Sequence, residues 1–284
     1  MKLLAISDLH VRHKINRKAV EEMKPCPEDW LILCGDLGES EEHLRFVFET
    51  LSPRFKKLVW VPGNHELWSR AASKNRGDDH YQALVEIARG YNILTPEDPY
   101  PLWDGEGGPA YIVPLFLLYD YSFRPSGMSK AEGLAWAAEA GIVCTDEFYL
   151  HPRPYPSREA WCEARIELSE QRLAELDPDI PKVLINHFQL RFELARLPRV
   201  PRFCLWCGTT KTEDWHRRWN AKVVVSGHLH MRSTDWRDGV RFEEVALGYP
   251  RDWKQKRGID YYVREILPGP AKTYKGNKGP VWHR

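Results

Sequence analysis

Five short apolar segments of this 284-residue chain run directly into Asp, Asn or His residues. Each segment has the length and the Leu, Ile and Val content of a buried β-strand. Because the carboxyl ends of parallel strands meet at one edge of an α/β sheet, we expect the polar residues that follow to line one cleft. These polar blocks are Asp8-Leu9-His10, Gly35-Asp36, Gly63-Asn64-His65-Glu66, Asn186-His187 and Gly227-His228-Leu229-His230.

The side chains in these blocks are imidazoles, carboxylates and amides, which are ligands that Mn, Fe and Zn accept in proteins. Two ions need more donor atoms than one tetrahedral site provides. The five blocks together contain enough donor atoms for two ions. Gly35, Gly63 and Gly227 precede the ligands at sharp turns, where the missing Cβ lets the backbone pass close to an ion. Each motif alone also occurs in structural settings, but the five in this order predict a metal centre.

The segments between the strands predict a mixed α/β fold. Predicted strands cover residues 3–6, 30–34, 58–61, 111–118, 183–185 and 223–225, and predicted helices cover residues 17–23, 40–51, 79–89, 129–140, 158–176 and 212–219. Residues 240–245 and 261–266 alternate between apolar and polar, which predicts antiparallel strands that complete a second sheet. We expect a single domain over residues 1–284, with insertions at about 91–110 and 123–156 that cover the functional face.

Composition and charge exclude several classes of protein. The longest apolar run, residues 113–119, contains Pro114 and is far shorter than the roughly 18 residues of a membrane helix. The amino terminus lacks the features of a signal peptide, so we expect a cytoplasmic protein. The formal charge of +1 predicts no general attraction to nucleic acid. The six cysteines are expected to be free thiols, and the isolated pair Cys204 and Cys207 favours a structural role over a zinc half-site or a redox site.

Together, the five blocks resemble the motif pattern of the calcineurin-like metallophosphoesterase superfamily. The resemblance spans residues 8–230 and implies a four-layer α/β/β/α sandwich with a two-metal centre. Carried over by position, Asp36 bridges the two ions. The resemblance then places Asp8, His10, Asp36 and His230 around one ion, and Asp36, Asn64, His187 and His228 around the other.

The chemistry that this resemblance implies is hydrolysis of a phosphoric ester by a metal-bridging hydroxide. His65 is the residue implied to protonate the leaving oxygen or to stabilise phosphoryl charge, and Glu66 is placed behind the ligands. Protein phosphatases of the superfamily carry Gly-Asp-x-x-Asp-Arg-Gly in the second block, whereas Gly35-Asp36 continues here as Leu37-Gly38-Glu39-Ser40. The phosphodiesterase branch is therefore favoured. We expect Mn, or Fe with Mn, and the same ligands suit Zn.

The segments between the motifs resemble the actinobacterial phosphopantetheinyl hydrolases. They include Pro99-Tyr100-Pro101, Leu205-Trp206-Cys207-Gly208, Asp214-Trp215-His216 and residues 242–253. The resemblance implies cleavage of the diester that joins 4′-phosphopantetheine to a serine of an acyl or peptidyl carrier protein. Basic residues within 191–202 and 251–257 suit an acidic carrier surface, and a solvated face explains them equally well. Trp206, Trp215, Tyr249 and Trp253 are candidates to line the substrate cleft, with core packing as the alternative.

Two other functions stay open at this stage. One is a nucleotide or nucleic-acid phosphodiesterase, which the balanced charge and the lack of a recognisable capping domain disfavour. The other is a non-catalytic, metal-stabilised scaffold that binds protein partners. Loss of His10 or His65 would be the sign of such a scaffold, and both residues are present.

Overall fold

Two β-sheets form the centre of the protein in a computed structural model that describes residues 1–69 and 75–283. The strands are β1 (Leu3–Ile6), β2 (Cys26–Leu33), β3 (Phe55–Trp60), β4 (Leu102–Trp103), β5 (Ala110–Pro114), β6 (Lys182–Ile185), β7 (Ala221–Ser226), β8 (Ser233–Arg237), β9 (Val240–Glu244), β10 (Arg264–Leu267) and β11 (Lys278–Trp282). The first sheet has the order β10-β1-β2-β3, and the second has the order β11-β8-β9-β7-β6-β5-β4.

Parallel strands lie in the middle of both sheets. In the first sheet β1, β2 and β3 are parallel, and β10 joins β1 in the antiparallel direction. In the second sheet β5, β6, β7 and β9 are parallel, whereas β4, β8 and β11 are antiparallel to their neighbours. All five strands that precede the polar blocks therefore belong to the parallel part of a sheet.

Helices connect and flank these strands. They are α1 (Lys14–Glu22), α2 (Glu41–Leu51), α3 (Asn64–Leu67), α4 (Asp78–Gly90), α5 (Lys130–Glu139), α6 (Asp146–Tyr149), α7 (Arg158–Ala174) and α8 (Trp215–Arg218). The Ser40 side chain accepts a hydrogen bond from the His43 amide, and Ser157 accepts one from the Ala160 amide. These serines cap α2 and α7 because each supplies an acceptor for an amide that has no partner within its helix.

Alternation along the strands divides the apolar core into two layers. Leu3, Ile32 and Val59 of the first sheet pack with Ile112 and Val183 of the second, and all five are fully buried between the sheets. The intervening strand residues point the other way and pack against the helices. The order helix, sheet, sheet, helix confirms the predicted four-layer α/β/β/α sandwich.

Several predicted elements differ from the structure at their ends or in their pairing. Residues 261–266 were expected to complete the second sheet, but β10 begins only at Arg264 and pairs with β1 in the first sheet. An alternating pattern predicts that one face of a strand is buried. It does not predict which of the two sheets the strand joins. The strand predicted over 111–118 ends at Pro114, which has no amide hydrogen to extend a ladder. The helix predicted over 212–219 is reduced to α8.

The two predicted insertions occupy different ends of the fold. In residues 91–110, the Glu106 amide donates to the Met1 carbonyl oxygen at 3.0 Å, and Trp103 is buried against Trp30 between the sheets. Met1 precedes β1, whose opposite end carries Asp8, so the prediction that this segment covers the functional face is wrong. Residues 123–156 do reach the polar blocks, because α6 lies beside Asn64.

Two further expectations concern membranes and thiols. Within residues 1–69 and 75–283, no helix combines the length and the apolar character that a membrane crossing requires. All six cysteines are free thiols, as predicted. Cys204 and Cys207 are buried and pack with Phe123 and Leu229, which agrees with the structural reading of this pair.

Candidate metal centre

The polar blocks meet at the carboxyl ends of β1, β2, β3, β6 and β7. Three overlapping groups of residues there place their ligating atoms within 4.8 Å of one another. The Oδ1 atom of Asn64 adds an amide oxygen at 3.1 Å from Nδ1 of His228. The structure thus brings all seven predicted ligands together. The groups are Asp8 with His10 and His230, His10 with Asp36 and His65, and Asp36 with His187 and His228.

The backbone at these blocks is unusual. Five of the predicted ligands have positive φ angles, a conformation that costs free energy in any residue with a Cβ. Hydrogen bonds between blocks maintain it: the Asp8 amide donates to the Gly35 carbonyl oxygen at 2.9 Å, and the His10 amide donates to that of Asp36 at 3.0 Å. The five φ angles are 54° at Asp8, 42° at His10, 55° at Asp36, 72° at His228 and 54° at His230.

Glycines allow the blocks to approach this closely. A Cβ at Gly63 would overlap Oδ1 of Asp36, and a Cβ at Gly227 would lie 2.5 Å from Oδ2 of Asp8. Gly35 has a φ of 87°, and a Cβ there would lie 2.5 Å from Nδ1 of His187. The glycines before the ligands therefore make room for a carboxylate or an imidazole, as the sequence predicts.

Asp36 occupies the middle of the cluster. Its Oδ1 accepts a hydrogen bond from the His65 amide at 2.9 Å, and its Oδ2 lies 3.4 Å from Nε2 of His187. Burial raises the pKa of the Asp36 carboxyl, but the neighbouring imidazoles of His187 and His65 bring this pKa well below its usual value. Asp36 is thus an anion that both halves of the cluster share.

Glu66 ties the second and third blocks together beneath the ligands. Its carboxylate accepts hydrogen bonds from the amides of Asp36 at 2.9 Å, Leu37 at 2.5 Å and Gly63 at 2.9 Å. Burial and the nearby Asp36 carboxylate raise the pKa of Glu66 to about 7. Because Glu66 binds backbone amides, it holds together the loops that carry the predicted ligands.

His187 shows why a cation fits the cluster. Its Nδ1 lies 2.8 Å from the carbonyl oxygen of Cys34, which can only accept, so Nδ1 carries a hydrogen. In the neutral imidazole the lone pair of Nε2 then faces Oδ2 of Asp36, and within the described residues this buried Nε2 has no hydrogen-bond partner. Burial opposes a charge on His187, yet Asp36 raises its pKa to about 10. A cation held by these two atoms would satisfy both lone pairs, so the pair fits a metal site.

His230 has a similar arrangement on the side of the cluster that contains Asp8 and His10, because one ring nitrogen faces a supporting group and the other faces a carboxylate of the cluster. Its Nδ1 lies 3.1 Å from Oδ2 of Asp252, and its Nε2 lies 3.1 Å from both Oδ1 of Asp8 and Nε2 of His10. Burial opposes a charge on His230, but Asp8 and Asp252 raise its pKa to about 10. A carboxylate behind a metal-ligating imidazole fixes the tautomer that turns the lone pair toward the ion. No motif in the sequence includes Asp252, which lies 22 residues beyond His230.

The two remaining imidazoles are neutral. Burial and nearby imidazole cations lower the pKa of His10 and that of His228 to about 3. Each therefore presents an unprotonated nitrogen at neutral pH, which is the form that binds metals. With the carboxylates of Asp8 and Asp36, these imidazoles make a His/Asp cluster that fits a dinuclear metal centre.

Asn64 is oriented by a residue that the motifs do not include. Its Nδ2 donates to Oδ1 of Asp146 at 3.0 Å, which turns its carbonyl oxygen toward His228. Asp146 is fully buried and also accepts hydrogen bonds from Trp68 Nε1 at 2.7 Å and from the Tyr119 hydroxyl at 3.0 Å. The only sequence signal for Asp146 is its position in the predicted insertion at 123–156.

His65 lies between the cluster and a large cavity. Its ring packs on Trp68 with 3.8 Å between centroids and contacts His10 edge-on at 4.7 Å. Its Nε2 lies 3.8 Å from Oδ2 of Asp36, and its Nδ1 lies 3.8 Å from Oε1 of Glu39. Burial lowers the pKa of His65, but the Asp36 and Glu39 carboxylates outweigh burial and raise it above its usual value. His65 is therefore equipped to carry a proton at the edge of the cavity.

The cavity has a volume of about 960 Å³ and is lined by Asp36, Asn64, His65, His228 and His230 at its base. Of the aromatic residues predicted to line the cleft, Tyr249 and Trp253 do so. Trp206 and Trp215 are buried in the core instead, and the Trp206 ring nitrogen donates to Glu147 at 2.8 Å. Core packing is the usual fate of Trp, and it accounts for these two.

Comparison with known proteins agrees with this centre. Residues 1–232 match the family model described as Calcineurin-like phosphoesterase, and the chain belongs to that family of hydrolytic metalloenzymes. Over 272 residues the chain is 50% identical to the [acyl-carrier-protein] phosphodiesterase PptH of Mycobacterium tuberculosis, covering 94% of this chain and 84% of that protein. It also matches the crystal structure of phosphopantetheinyl hydrolase (PptH) from M. tuberculosis with a TM-score of 0.91 and 49% sequence identity. The match covers 95% of this chain and 97% of the crystallised chain. Both resemblances predicted from the sequence are confirmed.

Proposed function

We propose that this protein is a dinuclear-metal phosphodiesterase that removes 4′-phosphopantetheine from the serine of an acyl or peptidyl carrier protein. The products are the apo carrier protein and free 4′-phosphopantetheine. The observation that carries the proposal is the position of Asp36, which lies within ligating distance of His10 and His65 in one group and of His187 and His228 in another. The chain that contains this arrangement is half identical to an [acyl-carrier-protein] phosphodiesterase.

The proposed assignment combines these groups with the motif pattern of the family, which places Asp36 in both sets of ligands. Asp8, His10, Asp36 and His230 hold one ion, and Asp36, Asn64, His187 and His228 hold the other. When bound, the ions supply Lewis acidity and an activated water for attack at phosphorus. The donor set of imidazole, carboxylate and amide oxygen contains no thiolate, which suits Mn, or Fe with Mn.

His65 supplies the proton in this proposal. Its Nδ1 faces Glu39 and its ring is held by Trp68, so Nε2 is directed toward Asp36 and the cavity. The serine oxygen that leaves phosphorus needs a proton, and an imidazole with a raised pKa can donate it at neutral pH. Glu66 keeps the loops of Asp36 and His65 in register through its bonds to backbone amides.

The test is intact-mass spectrometry of a holo acyl carrier protein incubated with the manganese-loaded enzyme. We expect loss of the whole phosphopantetheine arm. The Asp36→Asn variant is the matched control, and it should show no loss because one change weakens both ions. A generic aryl phosphodiester is assayed in parallel.

Each other outcome contradicts a specific part of the proposal. Cleavage of the aryl diester with an untouched holo carrier protein would contradict the substrate and favour a nucleotide or other small diester. Cleavage of neither compound would contradict catalysis and favour a metal-stabilised binding protein. Full activity of Asp36→Asn would contradict the assignment of Asp36 as the shared ligand.

A further inference from the structure

The cavity has two chemically different sides. On the side of His10, the Tyr249 ring stacks on the imidazole with 4.5 Å between centroids, and the Arg251 guanidinium lies 5.5 Å from the Tyr249 ring. Arg251 and Lys254 are both exposed and line the cavity. Cationic groups thus flank the half of the centre that contains His10 and His230.

The opposite side is mainly apolar, although the exposed Arg199, which lies between Leu197 and Val200 in the sequence, also lines the cavity. The Phe203 ring stacks on His228 with 5.8 Å between centroids, and Leu197 and Met231 pack with Phe203 around the buried Leu229. Val200, which is 36% exposed, continues this surface toward the mouth of the cavity. We call the surface formed by Leu197, Val200, Phe203 and Met231 the apolar wall.

The charges on the cationic side are only partly balanced by nearby carboxylates. Two carboxylates line the cavity, namely Asp36 in the cluster and Asp252, which is bound to His230. Within the described residues, Lys254 has no carboxylate within 4.0 Å of its ammonium group, and Arg251 approaches Asp252 only to 3.8 Å. The whole chain carries a formal charge of only +1, so this local excess favours an anionic partner.

The position of His65 orients the substrate between these sides. In the proposed reaction the bond from phosphorus to the serine oxygen breaks and a bond from phosphorus to a water oxygen forms. The attacking water gives a proton to solvent, the serine oxygen takes a proton from His65, and His65 regains one from solvent. His65 contacts His10, the same imidazole on which Tyr249 stacks. The serine, and the carrier protein that bears it, therefore leave on the side of Tyr249 and Arg251.

We propose that Arg251 and Lys254 bind the acidic carrier protein, while the apolar wall binds the pantetheine arm that stays with the phosphate. The gem-dimethyl group and methylenes of that arm match an apolar surface, and the acidic surface of a carrier protein matches the two cations. This inference rests on the proposed function. It adds the orientation of the substrate, with the carrier protein on the cationic side of the metal centre and the pantetheine arm on the apolar side.

Product inhibition tests this orientation because each product carries one half of the substrate. The variant Arg251→Gln/Lys254→Gln should raise the inhibition constant of the apo carrier protein about tenfold and leave that of free 4′-phosphopantetheine within about twofold. The effect on the carrier protein should shrink as the salt concentration rises. The variant Leu197→Asn/Val200→Asn, which changes two side chains at the mouth of the cavity, should show the reverse pattern.

A matched control loses the same charge elsewhere. Lys56→Gln/Lys222→Gln changes two exposed lysines near the starts of β3 and β7, at the end of the sheets away from the centre. It should leave both inhibition constants at the wild-type values. A reversed pattern in the two test variants, or wild-type constants in both, would overturn the orientation.

Release of the arm by the unchanged enzyme is measured first, so that the two proposals fail separately. Absence of release contradicts the proposed function and the orientation with it. Normal release with unaltered inhibition constants contradicts the orientation alone.

Discussion

Asp146 accepts a hydrogen bond from Nδ2 of Asn64 at 3.0 Å, and this bond determines which end of the Asn64 amide faces the metal centre. A carboxylate only accepts, so it holds the donor end of the amide and leaves the carbonyl oxygen for an ion. Trp68 and Tyr119 donate to the same carboxylate and fix its position. A residue outside the five motifs thus orients the Asn64 amide, which we propose as a metal ligand.

Removing this carboxylate should weaken one ion selectively. We expect Asp146→Ala to lower the affinity for the ion beside Asn64 by about 10- to 100-fold, because the amide is then free to turn. Metal analysis after dialysis against a weak chelator should show one ion retained and one lost. Asp98→Ala, which removes a carboxylate bound to Thr95 and Arg89 instead, should retain both. Two ions held at wild-type affinity by Asp146→Ala would refute this role.

Asp252 should have the complementary effect on the other ion. Its carboxylate lies 3.1 Å from Nδ1 of His230, so Asp252→Ala removes the group that fixes the imidazole tautomer. We expect a similar loss of affinity, about 10- to 100-fold, at the ion beside Asp8 and His10. In the double variant Asp146→Ala/Asp252→Ala, the two losses should add, since they concern different ions. Loss of the same ion in both single variants would show that the ligand groups are assigned incorrectly.

Substitution of His65 should separate catalysis from metal binding. His65→Gln keeps a polar side chain between Trp68 and Glu39 but cannot donate a proton as an imidazolium can. We expect the turnover number on a diester with an alkoxide leaving group to fall by about 10²- to 10⁴-fold while both ions stay bound. Parallel measurement of turnover and metal content decides the question. Metal loss in proportion to the loss of rate would make His65 a ligand rather than an acid.

The sequence predicts the ligands better than it predicts their supports. Asp8 and Asp36 follow apolar strands directly, so the rule that parallel strands end at one edge places them correctly. Three residues support the cluster through contacts that form only when distant segments of the chain pack together: Asp146, Asp252 and Glu39. A local sequence pattern does not predict such contacts. The same limit applies to residues 91–110, which the local pattern places over the functional face but which contact Met1 at the other end of the fold.

Metal loading should release protons at neutral pH. In the metal-free protein the pKa values of His187 and His230 are about 10, so both imidazoles are protonated at pH 7.5. An ion binds only the neutral form, so loading of both sites should release about two protons, and the affinity should rise with pH until about pH 10. Titration calorimetry with Mn²⁺ in two buffers of different ionisation enthalpy measures the number released. Equal heats in both buffers would show that these imidazoles are already neutral.

Gly63 offers the sharpest steric test of the centre. A Cβ at this position would overlap Oδ1 of Asp36 and would lie 2.5 Å from the backbone nitrogen of Asp36. Neither atom can move without displacing the carboxylate that we propose as the ligand of both ions. We therefore expect Gly63→Ala to lose both ions and the diesterase activity together. Gly90, at the end of α4, has no atom within 4 Å of a Cβ built there, so Gly90→Ala is the matched control.

The control should keep both ions and should be unchanged in stability or more stable by about 0.4 to 1 kcal/mol, because Ala restricts the unfolded chain. Thermal unfolding of the metal-free proteins separates a local effect at the centre from a general loss of folding. A Gly63→Ala protein that folds normally but binds no Mn²⁺ would locate the damage at Asp36. One that binds two ions and cleaves diesters at the wild-type rate would show that the close approach of Gly63 to Asp36 is not required, and the central position of Asp36 would need another explanation.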